Sequence, residues 1–160
     1  MPQPRPIGKT LYFSYSTIAV GGEFLPKTER PTRKNSIHNE PQEEPPWLVA
    51  VRAADSRKAI DLKVLDLSGI TSFTDWFIIC TGSNARQIQA IADEISLRLK
   101  QRAELPINIE GYEQAEWVLM DYGDLIVHVF SAKAREYYDL ERLWRQAKQV
   151  EIPVEAAPAD

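Results

Sequence analysis

A short apolar run that feeds directly into a one-sided helix constrains this chain most. Trp76-Phe77-Ile78-Ile79-Cys80-Thr81 shows no polar alternation and is bounded on both sides by turn residues. Such a run fits a strand covered on both faces, which requires a sheet with flanking helices. Gly82-Ser83-Asn84 ends it. Asn84 is a good N-cap, and Gln87 three residues on completes a box-like pattern. Ile88, Ile91, Ala92, Ile95 and Leu99 then fall at i, i+3, i+4, i+7 and i+11, one apolar stripe along a helix. Arg98, Lys100 and Arg102 sit in or near its last turn, where cations oppose the helix dipole favourably.

The remaining elements follow from local patterning. Pro45-Pro46 precede a helical stretch over 47–58, since proline suits a first helical turn. In it Leu48, Val51 and Ala54 face inward. Residues 61–67 alternate enough for a strand, and 68–75 make a polar connection. Strands are expected over 106–110, 117–121 and 125–130. Gly123 is available for positive φ in the turn Asp121-Tyr122-Gly123-Asp124. Residues 132–146 read as one or two short helices. The order α-β-β-α-β-β-β-α predicts an α/β fold, a mixed five-stranded sheet with flanking helices.

Composition sets the boundaries. Eight of the eleven prolines lie before Trp47. The apolar pattern begins there, so 1–46 reads as a disordered extension, 47–147 as the folded domain and 148–160 as a flexible tail. Leu11-Tyr12-Phe13-Ser14-Tyr15 would form a strand in isolation, with nothing around it to cover it. A misplaced start codon would also give such a prefix. The extension carries a net charge of +1 and the remainder −5. An acidic domain is a poor ligand for phosphate backbones and suits a basic protein, so no direct nucleic-acid readout is expected. Neither an apolar stretch of membrane-spanning length nor a secretory signal pattern is present, which favours the cytoplasm. The single cysteine, Cys80, reads as a small buried hydrophobe.

Several constellations touch on chemistry. Glu110, Glu113, Glu116, Asp121 and Asp124 crowd together, but with no spacing diagnostic of a metal or an acid–base pair. The Gly82-Ser83 turn between strand and helix has the form of a nucleotidyl-transfer opening, yet no Asp-x-Asp follows it. Neither a catalytic residue nor a cofactor or metal is therefore expected. His128 lies mid-strand, on one face with Ile126 and Phe130, as a structural residue or as part of a contact face. Aromatic residues gather late: Tyr112, Trp117, Tyr122, Phe130, Tyr137, Tyr138 and Trp144. If Trp117 and Leu119 face away from the helices, the sheet exposes an apolar patch rimmed by acid, the mark of an interaction site.

Four ordered blocks carry a resemblance. They are Thr74-Asp75-Trp76-Phe77-Ile78-Ile79-Cys80-Thr81-Gly82; Glu110-Gly111 with Glu116-Trp117-Val118-Leu119; the stretch 121–130; and the stretch 135–144. In this order and spacing the chain resembles the ribosomal silencing factor family, the Iojap-like proteins, over the whole domain. The resemblance implies a nucleotidyltransferase-like fold without the catalytic carboxylates, and no enzymatic activity. It implies binding to the large ribosomal subunit through large-subunit ribosomal protein fourteen, a block on joining of the small subunit, and repressed translation. It further implies a homodimer when free, and for organelle relatives a role in large-subunit assembly. The partner-binding residues it suggests are Trp117, Asp121, Tyr122, Asp124, His128, Arg135 and Tyr137. A large-subunit assembly factor is one alternative. A metal-dependent nucleotidyltransferase or phosphohydrolase using Glu110, Asp121 and Asp124 is the other.

Overall fold

The computed structural model describes residues 43–154. The Leu11–Tyr15 expectation lies outside them. In chain order the elements are α1 (Pro46–Ser56), β1 (Ile60–Asp66), β2 (Trp76–Gly82), α2 (Ala85–Lys100), β3 (Asn108–Glu110), β4 (Trp117–Asp121), β5 (Leu125–Ser131), α3 (Ala132–Tyr138), α4 (Leu140–Leu143) and β6 (Lys148–Val150). The sheet order is β3-β4-β5-β2-β1-β6. Pairing is antiparallel throughout except for β2 with β5, which run parallel.

The fold is therefore α/β with a mixed sheet, but of six strands rather than five. The sixth, β6, pairs with β1 through Val64↔Val150, Leu65↔Gln149 and Asp66↔Lys148. It was expected to belong to a tail. Its three residues are too few to show a period, and two of them are exposed.

The apolar run of β2 is covered on both sides as its pattern predicts. On one face Ile78 and Cys80 join Val64, Val118, Met120, Val127 and Val129 under α1 and α2. The α2 stripe Ile88, Ile91, Ala92, Ile95 and Leu99 is fully buried there. Each of its larger side chains contributes about 1.5–3 kcal/mol by leaving water. Leu48 is only half-buried, whereas Val51 and Ala54 are buried as expected. The Asn84 side chain accepts from Gln87 N, capping α2. Gln87 reaches back to Ser83 rather than Asn84, with its Oε1 accepting from the Ser83 backbone N–H at 2.6 Å. Gly82 is required by this close turn, because a Cβ there would lie 2.6 Å from Ile88 Cγ1.

The opposite face holds a second core. Leu65, Phe77, Ile79, Trp117, Leu119, Ile126 and Phe130 pack against Leu67, Ala134, Leu140 and Trp144. The short helices α3 and α4 and the 67–75 connection thus cover the face on which Trp117 and Leu119 lie. An exposed patch centred on those two residues is not what forms: they are 7% and 1% exposed.

An aromatic ladder from core to surface

The residues expected at a docking surface divide into two groups, one at each end of β4 and β5. Asp121, Tyr122 and Asp124 form the β4–β5 turn. The Asp121 side chain accepts from Gly123 N at 2.8 Å, and Gly123 adopts φ +86° as its position in the turn demands. Asp121 and Tyr122 are partly buried and Asp124 is exposed. Burial raises the Tyr122 phenol above its ordinary pKa, so it stays protonated. Trp117, Arg135 and Tyr137 gather toward the other end, roughly 14 Å away along a five-residue strand, and His128 lies between, opposite Leu119 at mid-strand.

His128 is fully buried and faces the second core with Ile126 and Phe130. It sits edge-on to Phe77 with ring centres 4.6 Å apart. Its Nδ1 accepts a hydrogen bond from the Trp117 indole N–H at 3.1 Å. A proton on Nδ1 would destroy that bond. Burial pushes the His128 pKa down to about 3, so the ring is neutral. The role of His128 is therefore in the core and not on a contact face.

Ring contacts continue outward from this pair. Trp117 stacks on Phe130 at 5.1 Å and meets Tyr138 at 4.5 Å. Tyr138 meets Tyr137 edge to face at 5.0 Å. Tyr137 is 54% exposed. Trp117 is thus an internal rung, and Tyr137 is the end that solvent reaches. Beside it opens a groove of about 750 Å³ lined by Ile70, Tyr137, Tyr138, Arg142, Leu143 and Trp144.

Arg135 is also buried, and its guanidinium is spent internally. Nη1 donates to the Asp61 carbonyl at 2.7 Å and to Thr81 Oγ1 at 2.9 Å. Nε and Nη2 both donate to Glu141 Oε1, at 3.0 and 2.7 Å. Nη2 also lies 3.1 Å from Asp61 Oδ2. Burial opposes ionisation of Glu141, but the hydrogen bond and charge of Arg135 outweigh it and hold the carboxyl below its ordinary range. This knot ties α3 and α4 to β1 and β2. Nothing in the sequence signalled it, since Asp61 and Thr81 lie 74 and 54 residues from Arg135 and Asp61 adopts an unusual φ of +47°.

Catalytic alternatives gain little from the geometry. Glu110 and Asp121 share one face of the β3–β4 pair, but Asp121 Oδ1 is used by the turn. No group of three His, Cys, Asp or Glu is placed to hold a metal among the described residues. Burial pushes the Cys80 thiol up to about 12, so it is not a nucleophile at neutral pH. No helix among the described residues is long and apolar enough to cross a membrane.

These features define a class: an α/β domain whose distinctive construction is an aromatic ladder ending at a surface groove. Residues 40–160 match the family described as "Ribosomal silencing factor during starvation". A ribosomal silencing factor of Halalkalibacterium halodurans is 44% identical over 104 residues, covering 65% of this chain and 89% of the relative. A crystal structure of a Chromobacterium violaceum protein matches with a TM-score of 0.62 and 36% identity, covering 71% of this chain and 93% of that one. The mouse protein named "Mitochondrial assembly of ribosomal large subunit protein 1" is 28% identical over 109 residues, covering 64% of this chain and 48% of its own length. The chain belongs to the ribosomal silencing factor family.

Proposed function

We propose that this protein docks on the large ribosomal subunit through large-subunit ribosomal protein fourteen, and so keeps the small subunit from joining. It represses translation as a cytoplasmic, non-catalytic steric block. The observation that carries this reading is the aromatic ladder, which fixes an exposed Tyr137 at the mouth of the α3–α4 groove. Rigid aromatic side chains beside a concave surface are favoured binding anchors, because little conformational freedom is lost on contact. Tyr137 and the turn residues Asp121, Tyr122 and Asp124 offer contact groups, with the aspartates suited to lysine or arginine on a basic ribosomal protein. Trp117, His128 and Arg135 act from beneath, by holding α3 and its tyrosines in place.

Co-sedimentation tests this. The full chain moves with purified large subunits, and Tyr137→Ala, which removes an exposed side chain, weakens that association by about 30-fold if Tyr137 is an anchor. Absence of the chain from the large-subunit fraction would reject the reading. A role in large-subunit assembly is the second reading, favoured by the name of the mouse relative. It predicts precursor subunits accumulating on depletion, whereas a purely steric block predicts mature ones.

A further inference from the structure

The sheet ends at β3, which has β4 as its neighbour on one side and no strand among the described residues on the other. This edge is apolar and open to solvent. Leu105, Ile107 and Ile109 are 65%, 74% and 39% exposed. They alternate along the chain, so in an extended backbone they form one row. Ile109 lies opposite Met120, which belongs to the α1–α2 core, so the row continues that face outward past its covered part. Pairing with β4 extends one residue before the strand itself, through Ile107 N donating to Asp121 O at 2.7 Å.

The segment that carries this edge has charge of one sign. From residue 103 to 132 the chain holds no lysine or arginine, while Glu104, Glu110, Glu113, Glu116, Asp121 and Asp124 are acidic. Glu110 lies on β3 itself. Its Oε1 accepts from Asn108 Nδ2 at 2.9 Å, and its Oε2 has no donor among the described residues.

We propose that the β3 edge is a strand-addition site for an extended, basic segment of another protein. An open edge supplies main-chain donors and acceptors to an incoming strand, and the Leu105-Ile107-Ile109 row gives its alternate side chains apolar contact. Lysine or arginine on the incoming strand meets Glu110 and the flanking carboxylates. A second copy of this chain fits poorly, because it brings the same acidic segment edge to edge. Nucleic acid fits poorly as well, because the segment offers no cation to a phosphate. This edge adjoins the β4–β5 turn, through Asn108 opposite Asp121, but not Tyr137, so Tyr137→Ala and Ile109→Lys tell the two readings apart.

The test uses the full chain and three labelled decapeptides: alternating Lys-Val, alternating Glu-Val, and the Lys-Val sequence with two central prolines. Fluorescence anisotropy reads affinity, and amide exchange reads protection at Ile109, whose N–H points away from β4 because Leu119 and Asp121 pair with Glu110 and Asn108 on either side of it. The Lys-Val peptide binds at least about tenfold more tightly than either control and slows exchange at that amide. Ile109→Lys, at an exposed position, weakens it by about tenfold, and Tyr137→Ala leaves it unchanged. Glu110→Gln preserves side-chain shape and weakens binding several-fold, which keeps the test decisive if Ile109→Lys fails to fold. Equal binding of all three peptides, or indifference to both edge variants, overturns the proposal. So does concentration-dependent protection of β3 without peptide, which would give the edge to a second copy.

Discussion

Acid should weaken this fold through His128 well before its carboxylates titrate. The imidazole is neutral in the folded state, with a pKa of about 3 against an ordinary 6.5, because it is buried. Its Nδ1 is also occupied as the acceptor for Trp117. The folded pKa lies below the unfolded one, so the unfolded chain takes up the extra proton. Stability is then full above about pH 6.5 and falls as pH drops from there toward 3. At about pH 5 the unfolded histidine is 1.5 units below its pKa, which at about 1.4 kcal/mol per unit costs the fold about 2 kcal/mol. Asp66, Glu94 and Glu141 have lowered pKa values, so their contributions are lost only below the ordinary carboxylate range near 4. The window between about pH 7 and 5 therefore isolates histidine. Urea unfolding followed by tryptophan fluorescence across that window measures the effect, with His38 replaced by Gln in every protein so that one histidine remains. His128→Gln retains an acceptor for the Trp117 N–H and removes the titration, so its stability should stay level. A parent protein that loses less than about 0.5 kcal/mol over this range would rule out His128 as the acid-sensitive group, as would a His128→Gln variant that keeps the slope.

Three further outcomes are expected from the same geometry. Trp117→Phe keeps ring packing but strips His128 Nδ1 of its donor, which should destabilise the domain by about 2–3 kcal/mol, read from urea midpoints. Gly82→Ala forces a Cβ to within 2.6 Å of Ile88 Cγ1, and overpacking of this kind should cost about 1–3 kcal/mol by the same measurement. Arg135→Met removes the donor to Thr81 and the nearer cation from Glu141, leaving Lys63 at 3.7 Å, and should cost about 2 kcal/mol or more while lowering amide protection in α3.

Periodic features of the fold were legible in the sequence, and relations between distant segments were not. The α2 stripe and the β2 run are long enough for burial to impose a pattern, and both form as that pattern requires. The β4–β5 turn was legible because Gly123 supplies a conformation few residues adopt. Alternation in β4 correctly separated Trp117 and Leu119 from Val118 and Met120, but alternation does not say what covers each face. The cover on the Trp117 face is α3 and α4, of seven and four residues, broken at Asp139 in the left-handed region. Helices that short show no clear stripe. Hence the late aromatic residues were recognisable as a group, while the division into buried rungs and an exposed end required the folded arrangement. Arg135 illustrates the same limit, because its partners Asp61, Thr81 and Glu141 come from three separate elements.

Subunit joining is the step that docking on the large subunit would block. Purified large subunits are incubated with a modest excess of the full chain, small subunits are added, and joining is followed by light scattering. The joining amplitude should fall in proportion to the large subunits carrying the protein, and Tyr137→Ala at the same concentration should restore it. Undiminished joining by large subunits that demonstrably carry the protein would contradict the proposed steric block.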